Sequence, residues 1–178
     1  MKINNANDTI TGTGGAVATL PGTTGALAVK SEIPNFPMGE LEYFSMTGTV
    51  ITISGTSDGS TNMVKVAPTT TGDFHTETDN GGANDGRLRY TGTATKMFHC
   101  AVTLSGTPAN PNDVFVFGIA HNGTVDCKTL GSASGTQASA LHCMVMLATN
   151  DYIEFYIGNT TASRNFTVKT LNIFMMGV

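Results

Sequence analysis

"MVMLATNDYIEFYIGN", Met144–Asn159, decides the fold. Val145 and Leu147 alternate with Met144 and Met146. After "ATND" the alternation resumes, with Ile153, Phe155 and Ile157 on one side and Tyr152, Glu154 and Tyr156 on the other. Period two on both sides of a Thr-Asn-Asp corner predicts strand, turn, strand. The second run carries bulky residues on both faces, the pattern of a strand covered on both sides.

The same period spreads outward. Strands are predicted over Glu42–Ser54, Asn62–Ala67, Phe74–Thr78, Arg87–Tyr90, Thr95–Leu104, Val114–His121, Thr124–Thr129, Ala138–Leu147, Tyr152–Gly158 and Arg164–Met175. Between them stand "SGTSDGS", "TTTGD", "DNGGANDG", "TPANPND", "HNG", "ATND" and "GNTTAS", stretches of turn-forming residues. Only "SGTQASALHC" offers a helical alternative, and its alternation runs on into Leu147 as strand. Short strands at such spacing predict an all-β fold over residues 37–178, a β-sandwich or jelly roll rather than a βαβ fold.

Charged residues make up 12% of the 178-residue chain, Trp is absent and Gly occurs 21 times. That is about half the charge of an average domain. Net charge is −4 and the cations are scattered singly, so no nucleic-acid partner is expected. No apolar run of membrane length occurs, and none follows "MKINN", so neither a membrane partner nor a secretory signal is expected. The Asn-x-Thr sequons at Asn7, Asn122, Asn159 and Asn165 are then chance products of a Thr- and Asn-rich chain.

Residues 1–36 form a separate compositional unit, rich in Gly, Thr, Ala and Asn, whose first aromatic is Phe36. It lacks the material of a core, yet Val17, Leu20, Pro21, Leu27, Val29 and Ile33 punctuate it. A segment that only needs solubility would not carry them. An extended N-terminal attachment arm laid along a neighbour would.

Candidate chemistry is sparse. Phe98, Cys100, Val102 and Leu104 share one strand face, as do Leu141, Cys143, Val145 and Leu147, so these cysteines are expected as small core residues. With Cys127 the thiols number three and match no disulfide framework, which implies a reducing compartment. The pairs His99-Cys100 and His142-Cys143 suggest zinc, but adjacent strand residues point to opposite faces, so no metal is expected. "TETDNGGANDGR" has oxygen ligands but not the spacing of a calcium loop. No nucleophile, base and orienter stand together, so no catalytic residue, no cofactor and no enzyme activity are expected. The faces opposite the core carry Met97, Met144 and Met146 and the tyrosines. His99, Met144, Met146, Tyr152 and Tyr156 are therefore the expected subunit-interface residues.

Two resemblances join these readings. The succession "TKMFHCAVTLSG", "DVFVFGIAHNGT", "MVMLATNDYIEFYIGN" and "NFTVKTLNIFMMGV" resembles the tumour necrosis factor and complement-head type of jelly roll. The Asn122-Gly123 turn and the Asn150-Asp151 corner are its recognisable points. That resemblance implies a homotrimer. "ATLPGTTGALAVKSEIP" (Ala18–Pro34) is similar to "TLP-x-x-x-G-x-LA" segments of tailed-bacteriophage fibres and appendages, matching at Thr19, Leu20, Pro21, Gly25, Leu27 and Ala28. There it links an attachment region to a trimeric β domain. Together they imply a trimeric capsid decoration (cement) protein bound to the major capsid protein on the outer capsid surface, assembled in the host cytoplasm. The alternative is a short tail-fibre protein that contacts a host surface receptor.

Overall fold

The structure is a computed structural model that describes residues 3–4, 9–11, 17–19, 36–132 and 135–178. It divides into two compact units, Met1–Asn35 and Phe36–Val178. In the first, β1 (Ile3–Asn4), β2 (Thr9–Thr11) and β3 (Val17–Thr19) form a small antiparallel sheet in the order β1-β2-β3. Its register pairs Ile3 with Ile10 and Thr11 with Val17, β-branched residues that favour the pleated backbone. Val17 therefore begins a strand, while Leu20, Pro21, Leu27, Val29 and Ile33 lie outside the described residues.

The second unit comprises β4 (Met38–Ile51), β5 (Val64–Lys65), β6 (Thr71–Phe74), β7 (Thr78–Asp79), β8 (Arg87–Tyr90), β9 (Lys96–Pro108), β10 (Val114–His121), β11 (Thr124–Ser132), β12 (Gln137–Leu147), β13 (Tyr152–Asn159) and β14 (Phe166–Gly177). One sheet runs β12-β9-β14-β4-β6; the other runs β11-β10-β13-β8-β7, with β5 also pairing β13. All these pairings are antiparallel. No helix occurs among the described residues, and none is therefore long and apolar enough to cross a membrane.

Most expected strands stand where the alternation put them, and β8 and β10 match end for end. Phe74–Thr78 does not hold as one strand. Glu77 adopts φ +55°, and the chain there leaves one sheet at β6 and joins the other at β7. Asn62–Ala67 shrinks to β5, because Asn62 adopts φ +53° and belongs to the preceding loop.

Between the sheets lies one core. Phe115, Phe117, Phe155 and Phe166 are fully buried, with ring centroids 5.1–6.3 Å apart. Each such side chain contributes about 1.5–3 kcal/mol by leaving water. Asn122-Gly123, both at positive φ, make the tight turn between β10 and β11. The Asn150-Asp151 corner is tied to it: Asn122 Nδ2 donates to Asp151 Oδ1 over 2.7 Å, and the Tyr152 amide donates to Asn122 Oδ1 over 3.0 Å. The two turns that stood out in the sequence thus brace each other at one end of the sandwich.

Candidate functional site

Strand alternation sends half of each strand outward, and the two outer faces differ in chemistry. On the five-stranded sheet, register places Met146 beside Met97, and Met144 beside His99, which is followed by Met176 and Met38. The next row runs His142, Ala101, Phe174 and Glu40. Met97, Met144 and Met146 are exposed, the latter two by about half (51% and 48%). His99 Nε2 lies 3.1 Å from His142 Nδ1, with ring planes 17° apart. Charge lies away from these rows' methionines: Glu40 and Glu42 stand on β4, Asp73 on the edge strand β6, and Lys169 near the start of β14. A contiguous, uncharged, Met-rich surface of this kind marks an association surface.

The same sheet carries a knob at its other end. Phe44 pairs with Thr170 and Thr49 with Val168, so residues 45–48 bulge out opposite Lys169. Gly48 at φ +81° closes the bulge, and its amide donates to Ser45 Oγ over 3.0 Å. Phe44 and Met46 are about three-quarters exposed there.

The outer face of the six-stranded sheet is polar. Tyr152 and Tyr156 flank Glu154, as the alternation predicts, but Glu154 is buried. Lys65 Nζ lies 2.6 Å and Arg87 Nε 3.3 Å from Glu154 Oε1, which compensates the buried carboxylate. The Arg87 guanidinium also covers the Tyr152 ring at 4.3 Å. Part of the tyrosine surface is thus occupied within the chain. Two grooves of about 540 and 360 Å³ flank Lys128 on this side; one includes Asp58, Val116, Leu130 and Thr160, the other Asn62, Met63, Val125 and Tyr156.

The structure therefore separates the expected interface residues. His99, Met144 and Met146 come together on the five-stranded sheet, and Tyr152 and Tyr156 lie on the other sheet's outer face. Phe174, Met176 and Met38 join the first group without having been singled out. For Phe174 and Met176 the signal was present in "NIFMMGV", which is apolar on both alternating sides; Met38, alone in "FPMGE", carried none.

The thiols meet inside. Cys100 and Cys143 are buried cross-strand partners, and Cys127 is half-buried against the same core. The Cys100 thiol and burial push the Cys143 thiol far above its ordinary value; burial and the Cys143 thiol push Cys127 up to about 11. Protonated thiols are packing groups rather than nucleophiles or ligands. Among the described residues no group of three or more His, Cys, Asp or Glu is arranged to hold a metal ion.

No protein-family model matches the chain, and no curated protein matches it. Solved structures do. The PRD1 vertex protein P5, a phage protein, aligns with a TM-score of 0.51 at 11% identity, over 80% of this chain and 96% of that one. Murine APRIL at pH 5.0 aligns at 0.48 and 9% identity, over 77% and 98%. Eiger, a tumour necrosis factor from S. frugiperda, aligns at 0.42 and 9%, over 80% and 93%. With its two antiparallel sheets and this topology, the domain from Phe36 to Val178 is an all-β jelly-roll β-sandwich, a fold it shares with the phage vertex protein.

Proposed function

We propose that this chain is a non-enzymatic virion structural protein, a homotrimeric capsid decoration (cement) protein. Its jelly roll associates through the outer face of the five-stranded sheet, and residues 1–36 attach it to the major capsid protein. The observation that carries the reading is the uncharged surface of Met38, Met97, His99, Met144, Met146, Phe174 and Met176. A monomer would leave it wet, whereas a second copy of the same chain covers it with groups of its own kind. The virion setting is supported by the fold shared with a phage vertex protein and by the resemblance of Ala18–Pro34 to phage appendage segments. Three jelly rolls with their N-terminal segments then bridge neighbouring capsid subunits, and the area buried at those contacts holds the lattice against internal pressure.

Deleting residues 1–36 tests the attachment. The truncated protein is expected to remain a folded trimer, to lose binding to particles, and to leave capsids less resistant to heating. Unfolding of the truncated domain would contradict the reading, since those residues would then belong to its core.

The grooves beside Lys128 favour a second reading, a short tail-fibre protein that displays the six-stranded sheet to a host surface. In that case the same deletion leaves capsid stability unchanged and lowers adsorption to host cells.

A further inference from the structure

We propose that His99 and His142 form a proton-controlled clasp on the association face, which weakens the homotrimer as pH falls from 7 toward 5. The inference rests on the reading that the outer face of the five-stranded sheet is the trimer interface.

The contact between His99 Nε2 and His142 Nδ1, 3.1 Å long, joins two ring nitrogens. The ring centroids are 5.2 Å apart and the planes nearly parallel, so the nitrogens face each other edge to edge. Such a hydrogen bond needs one N–H and one lone pair, so at least one ring is neutral. A second proton puts N–H against N–H and two like charges in contact.

Little nearby offsets that charge. His99 is flanked in register by Met144 and Met176, and His142 by Ala101. On β9, Lys96 is engaged with Glu77 at 3.1 Å; β12 carries no charged side chain, and β14 contributes Lys169 near its start. On β4, Glu40 closes the row of His142 beyond Ala101 and Phe174, three strand spacings away, about 14 Å at 4.8 Å per strand. Glu42 stands one row further on. The flanking β11 contributes Asp126 and Lys128, and on β10 His121 is held by Asp151 at 3.0 Å. Neither His99 nor His142 has a carboxylate partner among the described residues.

Association covers this face and removes the water that would solvate imidazolium. The separate protomer thus binds protons that the trimer excludes. By linkage, association strengthens as pH rises and weakens as pH falls through the range in which histidines titrate.

Sedimentation of the full-length protein at pH 7.5 and pH 5.0 tests this, with H142Q and H99Q beside the wild type. The wild type is expected to need at least tenfold more protein to trimerise at pH 5.0 than at pH 7.5. In each variant that ratio is expected to fall below the wild type's, whatever its affinity at pH 7.5, because only one of the two rings is left to take a proton. Equal affinity of the wild type at both pH values would overturn the clasp and leave the trimer standing. A tenfold ratio retained in both variants would likewise overturn it, whereas a wild-type monomer at pH 7.5 would overturn clasp and trimer together.

Discussion

Asp113 is buried, and its carboxylate is held from three sides. Arg164 reaches both oxygens, through its Nε over 2.9 Å to Oδ2 and through its terminal nitrogen to Oδ1, and Asn159 Nδ2 donates over 2.8 Å. The cluster ties the loop before β10 to the connection between β13 and β14. The Arg164 hydrogen bonds outweigh burial and, with Asn159, hold the carboxyl below its ordinary value. A carboxyl depressed in the folded state contributes stability that is present above its unfolded value, about 3.9, and is lost as pH falls below it. Asp113→Asn is therefore expected to cost about 1–3 kcal/mol at pH 7, with the difference from wild type shrinking toward pH 3. Urea unfolding at the two pH values checks this; an undiminished difference at pH 3 would contradict it. The cysteines give a second test at this scale. Cys127 is expected to react with iodoacetamide before Cys100 and Cys143, which should become labelled only on unfolding, since access favours the half-buried residue over two buried ones. Peptide mapping after timed labelling reads the order. The burial of Cys100 and Cys143 was legible because each repeats a core period. The position of Cys127 was not, because β11 alternates exposed with half-buried residues and its inner side shows no strong apolar pattern.

At the scale of elements, period two located the long strands and misjudged where the backbone departs from it. β10 and β13 were legible because both of their faces carry bulky residues and the Asn-Gly and Asn-Asp corners bound them. β6 and β7 were not, since a few residues at a crossover between sheets hold no period, and Glu77 turns the chain by taking positive φ. The small sheet of β1–β3 escaped notice because strands of two or three residues are too short to show alternation. The bulge in β4 is also silent in the sequence except for Gly48. A Cβ there would meet Thr167 Cγ2 and the Val168 carbonyl oxygen at 2.7 Å, at φ +81°. Gly48→Ala is expected to cost about 1–3 kcal/mol, read as a lower denaturation midpoint. Phe44→Ser beside the bulge, at a residue 74% exposed, is expected to change stability by less than about 0.5 kcal/mol. A larger loss for Phe44→Ser than for Gly48→Ala would mean that the knob is packed rather than displayed.

At the scale of the whole molecule, the sandwich presents one apolar face and one polar, grooved face. Exposed methionines and strands apolar on both sides were legible as association surface in the sequence. Which sheet each strand joins was not, because sheet membership depends on pairings between residues far apart in the chain, such as Met144 with His99. Thus Tyr152 and Tyr156 were grouped with His99, Met144 and Met146, although β13 and β12 belong to different sheets. The most direct test of self-association through the five-stranded face is the mass in solution of the wild type, Met144→Glu and Tyr156→Glu, measured by sedimentation equilibrium at pH 7.5. The account predicts about three times 18.5 kDa for the wild type and for Tyr156→Glu, and 18.5 kDa for a folded Met144→Glu. A monomeric wild type, or a trimer that survives Met144→Glu and dissociates with Tyr156→Glu, would contradict it.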